Sequence, residues 1–325
     1  MPYTGPTGAQ LRGAFQVLNH PDGHLRRRNP SFKSMISIGG WTMSREFSTV
    51  AATPAARARF VESAMQFVAQ HGFDGIDIDW EFPVEGGRPE NARSPDDGRN
   101  LTLLLGELRA GLDRIGQQRG GARRLDLAVC LPFADWLSQH FDVPGLAQHC
   151  DHLLLMCYDA TGAWSDATGH HSPASCIATA AQSYMRRGAP AAKLVAGLPL
   201  SGRAFAGVKS GSVGAAVNKG MAPPGTHAPG IVDWDELTSK YSAAAGYQWS
   251  VPDPIAMTPV AYNPATGVWI TAENEQSIEG KSRFAVQQLG LGGVMYWELS
   301  QDRQGTLVGA ALRGMGAGGV GGGGR

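Results

Sequence analysis

The sequence predicts an α/β protein built on parallel strands, and three observations carry that reading. Short apolar runs alternate with amphipathic helical stretches along most of the 325 residues, as in a sheet whose strands are joined through helices. The length suits one large α/β barrel with an insert, or two smaller domains. From about Ala206 to Tyr262 the periodicity gives way to Gly, Pro, Ser and aromatic residues, as expected of an inserted β-rich subdomain.

Taken in order, Ala9–Leu18 reads as a helix and Lys33–Ile38 as a strand that ends at Gly39-Gly40-Trp41. Thr53 then offers an N-cap and Pro54 a first helical position. Phe60, Val61, Ala64, Met65 and Val68 follow at helical period. Phe73–Trp80 reads as the second strand, and Ser94-Pro95-Asp96-Asp97 opens a helix with Leu101, Leu104, Leu105, Leu108, Leu112 and Ile115 on one side. Strands follow at Leu125–Leu131, His152–Tyr158 and Leu194–Leu198, with a helix near Ala174–Arg187. Trp234, Tyr241, Tyr247 and Trp249 are expected to supply a small core for the insert. A helix around Ser277–Leu289 ends at Gly290, Gly293–Trp297 is the last strand, and the Gly-rich tail from Gly314 is expected to be disordered.

Composition narrows the function. Lys+Arg and Asp+Glu each number 28, so the basic excess of a nucleic-acid binder is absent. The run His24–Arg28 reads as a solvated face. No apolar stretch reaches the roughly 18 to 20 residues needed to span a bilayer as a helix. No secretory pattern is read at the N-terminus. Four cysteines are too few for a zinc ribbon or a disulfide scaffold. Cys130 and Cys157 read as buried free thiols, and a Cys150–Cys176 bridge is left open. No HExxH-type pair is found among the histidines, so metal chemistry is not expected.

The chemistry concentrates in Asp74-Gly75-Ile76-Asp77-Ile78-Asp79-Trp80-Glu81. Strand alternation puts Asp77, Asp79 and Glu81 on one face and Ile76, Ile78 and Trp80 on the other. Asp74, three residues before Asp77, falls off the carboxylate face and is assigned a strand-start role. Like charges this close push at least one pKa up and keep a carboxyl protonated near neutral pH. A protonated Glu beside a proton-sharing Asp is what general-acid cleavage of a glycosidic bond requires. Glu81 is placed at the C-terminal end of its strand, where the active sites of α/β barrels lie. The alternatives are a solvent-facing acidic edge, which the flanking Gly, Ile and Trp disfavour, and a metal site, for which no nearby His supplies a ligand.

At this point the sequence resembles glycoside hydrolase family 18, the chitinases. Asp74–Glu81 resembles the family's DxxDxDxE signature and Ser37-Ile38-Gly39-Gly40 its SxGG strand. Met156-Cys157-Tyr158-Asp159 is similar to its MxYD strand, with Gly162, Trp164, Gly169 and His170 following at familiar offsets. Gly197–Arg203 resembles the GxPxYGR strand that precedes the chitinase insertion domain, and Gly292–Glu298 the closing LGGxMxWE strand. The resemblance covers most of the chain and implies a TIM (β/α)8-type barrel with an inserted α+β subdomain. It places the catalytic barrel at 1–205 and 263–313, the insertion at 206–262 and the tail at 314–325.

The resemblance also implies a substrate-assisted, retaining mechanism on β-1,4-linked N-acetylglucosamine, an exception to the usual two-carboxylate scheme. In it Glu81 is the acid, and Asp79 holds the acetamide N–H and stabilises the oxazolinium ion. Asp77 shares a proton with Asp79, and Tyr158 hydrogen-bonds the acetamide oxygen. Asp159, Arg203 and Met156 belong to the substrate-binding set. Trp297 forms the floor under the reacting sugar, and Trp41 and Trp164 stack on neighbouring units. Trp136 is a further candidate for stacking, with core packing as its alternative. The implied partner is chitin or a chitooligosaccharide, met by a monomer without nucleic acid or membrane; the location is left open, an extracellular one being what the family suggests. A non-catalytic lectin-like protein and an inactive remnant are the other readings.

The chain departs from the family pattern in three places. Ser201 replaces a usual Tyr, and Ala272-Glu273 replaces a Tyr-Asp pair. The SxGG strand, third of eight in the family, begins near Lys33, so the barrel is expected to be N-terminally truncated to about six strands. Open sheet edges of that kind are expected to make the chain unstable or prone to aggregation.

Overall fold

The computed structural model describes residues 13–121 and 123–316, together with the backbone of residues 3–4 and 10–11. The chain divides into two compact units. The first comprises Met1–Leu131, Trp136–Leu153 and Arg187–Ala189; the second comprises Pro132–Asp135, Leu154–Arg186 and Pro190–Arg325.

In the first unit the strands Met35–Gly39, Gly75–Asp79 and Asp126–Pro132 lie side by side in that order. All are parallel, with Ser37 opposite Asp77, Gly39 opposite Asp79, and Asp77 opposite Ala128. The central strand is buried along its whole length. Ile76, Ile78 and Trp80 are sequestered together, and the Trp80 ring stacks on Phe47 with centroids 5.3 Å apart.

The helices of this unit begin where the sequence predicts. Thr53 caps Pro54–His71, its Oγ1 accepting from the Ala56 N–H at 3.2 Å. Truncation of Thr53 to Ala removes that partner, and a loss of about 0.5–1 kcal/mol is expected in urea unfolding. The second helix spans Asp97–Gln118, and all six apolar positions read for it from Leu101 to Ile115 are buried. Asp97 ties its start down by accepting from Ser48 Oγ at 2.7 Å, Ser94 N at 2.8 Å and Val84 N at 3.2 Å.

Two expectations near the N-terminus are corrected. The expected Ala9–Leu18 helix is instead Gly13–Asn19, because Gln10–Leu11 is extended and paired with Tyr3–Thr4, its backbone committed to a two-stranded ladder. The basic run His24–Arg28 is exposed as expected at His24, Leu25, Arg27 and Arg28, and Arg26 is the exception. Arg26 lies against Asp74 at 2.7 Å and donates from Nε to the Leu18 carbonyl at 2.9 Å. Asp74 also accepts from Ser34 N at 2.9 Å, in keeping with its strand-start role.

In the second unit Leu194–Pro199 pairs in parallel with Gly293–Trp297, Tyr296 lying opposite Leu198 and Trp297 opposite Pro199. A five-stranded antiparallel sheet accompanies them, in the order Gln248–Trp249, Val260–Asn263, Val268–Thr271, Ser201–Phe205, Ile231–Asp233. One of its faces buries Ala204, Val232, Leu237, Tyr241, Tyr247, Ala261 and Ile270, with Trp234 packed against them. The other buries Phe205, Val208 and Trp269. Trp249 stands apart from this core. It is an exposed edge residue whose Nε1 donates to the Tyr241 carbonyl at 2.7 Å.

Glu273, which stands in the departing Ala272-Glu273 pair, is 2% exposed. It is buried as an ion pair with Lys281, whose ammonium also donates to the Thr258 hydroxyl at 2.9 Å and to the Ser172 carbonyl. All four cysteines are buried and none of them is in a disulfide. No helix among the described residues is long and apolar enough to cross a membrane. The tail beyond residue 316 lies outside the described residues.

Candidate active site

Alternation along Gly75–Asp79 sends the Asp77 and Asp79 side chains to the face opposite Ile76 and Ile78. Both carboxylates are buried. Asp77 accepts from Ser37 Oγ at 2.7 Å on one neighbouring strand, and from Cys130 Sγ at 3.6 and 3.8 Å on the other. Burial pushes the Asp77 carboxyl above the usual range, against the lowering effect of those two donors. Asp79 is pushed up to about 7, chiefly by burial and then by the charge of Asp77. Its Oδ1 is buried with no hydrogen-bond partner among the described residues.

The backbone around the acidic strand is fixed by residues that sequence reasoning missed. Ser44 Oγ lies 3.2 Å from the Asp79 carbonyl and 2.9 Å from the Gly40 carbonyl, and it accepts from the Glu81 N–H at 2.9 Å. Asn91 Nδ2 donates to the Glu81 carbonyl at 2.8 Å. Gly39, at φ 119°, approaches so closely that a Cβ there would stand 2.0 Å from the Asp79 carbonyl oxygen, so the first Gly of the Gly-Gly pair admits no other residue. Glu81 itself is half-buried just past the strand end. Trp41 and Trp136 of the same unit are exposed, at 53% and 54%, so Trp136 is not a core residue.

The second unit holds the other residues. Met156 is buried and Tyr158 half-buried. A Cβ at Gly197 would stand 2.9 Å from the Tyr158 ring, so the glycine makes room for it. Asp159 adopts φ 62°, a left-handed conformation that a non-glycine residue holds only when its surroundings enforce it. Arg203 supplies the enforcement with a two-pronged grip, Nε to Oδ1 at 2.7 Å and Nη2 to Oδ2 at 2.6 Å. Burial acts to raise the Asp159 carboxyl, but His171 and Arg203 outweigh it and hold the group low. His171, with Nδ1 3.8 Å from Asp159, is kept neutral-leaning by its own burial. The exposed Trp164 ring lies 5.4 Å from the Arg203 guanidinium carbon, so Asp159, Arg203 and Trp164 form one stack. Trp297 ends its strand 58% exposed, and Ser201 is buried in the antiparallel sheet.

A parallel α/β fold with an inserted antiparallel sheet carries, on one strand, two buried carboxylates followed two residues later by a Glu. The model of the glycosyl hydrolases family 18 matches residues 15–302, and the chain belongs to that family. It is 34% identical over 323 residues to Chitinase A1 of Niallia circulans, covering 94% of this chain and 45% of that one. The chain thus spans less than half the length of that relative. Among solved structures, the catalytic domain of the psychrophilic chitinase B from Arthrobacter TAD20 superposes with a TM-score of 0.83 and 29% identity, over 98% of this chain and 79% of that one. A plant class V chitinase mutant from Cycas revoluta in complex with (GlcNAc)3 gives a TM-score of 0.76 at 27% identity, over 89% and 82% of the two chains. The fold class is therefore the TIM-type barrel expected from the sequence.

Proposed function

We propose that this chain hydrolyses β-1,4 linkages between N-acetylglucosamine units of chitin or chitooligosaccharides, with retention and with the substrate's own acetamide as nucleophile. The observation that carries this reading is the buried Asp77–Asp79 pair with an acceptor oxygen, Asp79 Oδ1, left without a partner among the described residues. An acetamide N–H satisfies that oxygen, and the carboxylate then faces the positive charge that develops on the oxazolinium ring. Glu81 protonates the leaving glycosidic oxygen and afterwards takes a proton from the attacking water. Asp77 carries the charge balance of the pair. Tyr158 holds the acetamide oxygen, so that the carbonyl oxygen and anomeric carbon meet in a near-attack geometry.

Sugar C–H faces pack on exposed indoles, which gives Trp297, Trp41 and Trp164 their stacking roles. Met156 lines the same substrate-binding set. Asp159 and Arg203 address sugar hydroxyls as a preformed pair. Replacing Arg203 with Met frees Asp159 from its grip, and KM for a chitooligosaccharide is expected to rise on the order of tenfold, with a smaller change in kcat. Segment 206–262 serves as the insertion that walls the substrate, in a monomer that needs no metal or organic cofactor.

Turnover of a fluorogenic chitooligosaccharide tests the proposal. Release of fluorophore supports it. Binding of the oligosaccharide without release would leave the lectin-like reading in its place.

A further inference from the structure

We infer that Cys130 is a positioning residue for the carboxylate pair, its thiol donating to Asp77 so that the shared proton resides on Asp79. This rests on the reading of the acidic strand given above. Asp126–Pro132 runs parallel to Gly75–Asp79 with Asp77 opposite Ala128, so the next residue on that face, Cys130, lies beside the pair. Its sulfur stands 3.6 Å from Oδ2 and 3.8 Å from Oδ1 of Asp77. That is within reach of an S–H donor, and the residue is 7% exposed.

A thiol that keeps its proton meets an ionised carboxylate as a donor. Burial and the carboxylates of Asp77, Asp79 and Glu81 push its ionisation well above the ordinary thiol range. Those three are the charged groups facing it within its unit, and Ser37 lies on the far side of Asp77 at 2.7 Å. Asp77 is therefore flanked by two donors, one from each neighbouring strand, whereas Asp79 feels only the thiol, as the smallest of its three influences, and its Oδ1 has no partner among the described residues. Donors favour the ionised form of the group they touch. In the unliganded site the asymmetry assigns the negative charge to Asp77 and the proton to Asp79. An apolar residue in place of Cys130 would weaken that assignment and make the pair easier to protonate a second time.

The test compares wild type, Cys130→Ala and Cys130→Ser. The acidic limb of kcat/KM against pH, read with a fluorogenic chitooligosaccharide, is expected to move up by about 0.5 pH unit or more in the Ala variant. Serine retains a donor, so its limb is expected to stay near that of the wild type, which a purely space-filling role for the sulfur would not produce. A second readout does not depend on turnover. NMR titration of carbon-13-labelled Asp carboxyls should show the lower of the pair's two apparent pKa values, the one for taking up the second proton, rising in Cys130→Ala and not in Cys130→Ser. Unchanged limbs and titrations in Cys130→Ala, or equal shifts in both variants, would overturn the inference. Wild-type-like turnover in a Glu81→Gln control would instead overturn the reading beneath it.

Discussion

Glu81→Gln is expected to lower hydrolysis of a chitooligosaccharide by about 10³-fold or more, while the affinity for the same oligosaccharide stays within a few-fold. The amide keeps the volume of the acid and can still donate a hydrogen bond, but it has no proton to transfer to the leaving oxygen. The tethers on the Glu81 backbone, Ser44 at its N–H and Asn91 at its carbonyl, do not involve the side chain. The fold around the substitution is therefore kept, and calorimetric titration against turnover separates binding from chemistry. Equal turnover in the two proteins would show that the acid lies elsewhere.

Asp79→Asn is expected to act in opposite directions on activity and stability. Activity falls on the order of 10²–10³-fold, because the charge opposite the oxazolinium ion is lost. Stability at neutral pH rises. The Asp79 carboxyl lies at about 7 in the folded chain against 3.8 for an ordinary Asp, so between those values the folded state binds a proton that the unfolded state has released. Stability then falls as pH rises through that window and levels off above it, at a cost of up to about 4 kcal/mol. The neutral Asn does not incur this. Thermal unfolding of wild type and variant is expected to coincide near pH 3.5 and to separate progressively up to pH 7, the variant melting higher. A variant that melts lower at pH 8 would contradict the burial-driven shift.

The acidic strand was legible because alternation is local. Asp77 and Asp79 on one face and Ile76, Ile78 and Trp80 on the other follow from a period of two residues. The Leu101–Ile115 stripe and the Thr53 cap are equally local, and both are found where read. What escaped needed register or tertiary contact. Cys130 read only as a buried thiol, because its place beside Asp77 depends on which residue of the neighbouring strand Asp77 faces. Arg26 read as surface charge because Asp74, its partner, is 48 residues away. Ser44 and Asn91 carry no pattern that marks them as tethers. The helix read over Ser277–Leu289 is instead α-helical from Glu275 to Arg283 and continues as a π-helical turn over Phe284–Gln288, a change of pitch that apolar spacing does not distinguish.

The edges of the parallel strands bear on handling. Among the described residues, Met35–Gly39 and Gly293–Trp297 each have a single strand neighbour, and most of their residues are only half-buried. Such edges invite pairing with other chains, so concentration-dependent association is expected in light scattering and is to be checked before any kinetic comparison.

The central claim is that the buried aspartate pair serves a nucleophile that the substrate itself brings. NMR of the first product formed from chitotetraose, beside an identical incubation with the fully de-N-acetylated tetramer, tests it most directly. The account predicts that the new reducing end appears first as the β-anomer and that the deacetylated chain is not cut. Initial release of the α-anomer, or comparable cleavage of the deacetylated tetramer, would contradict it.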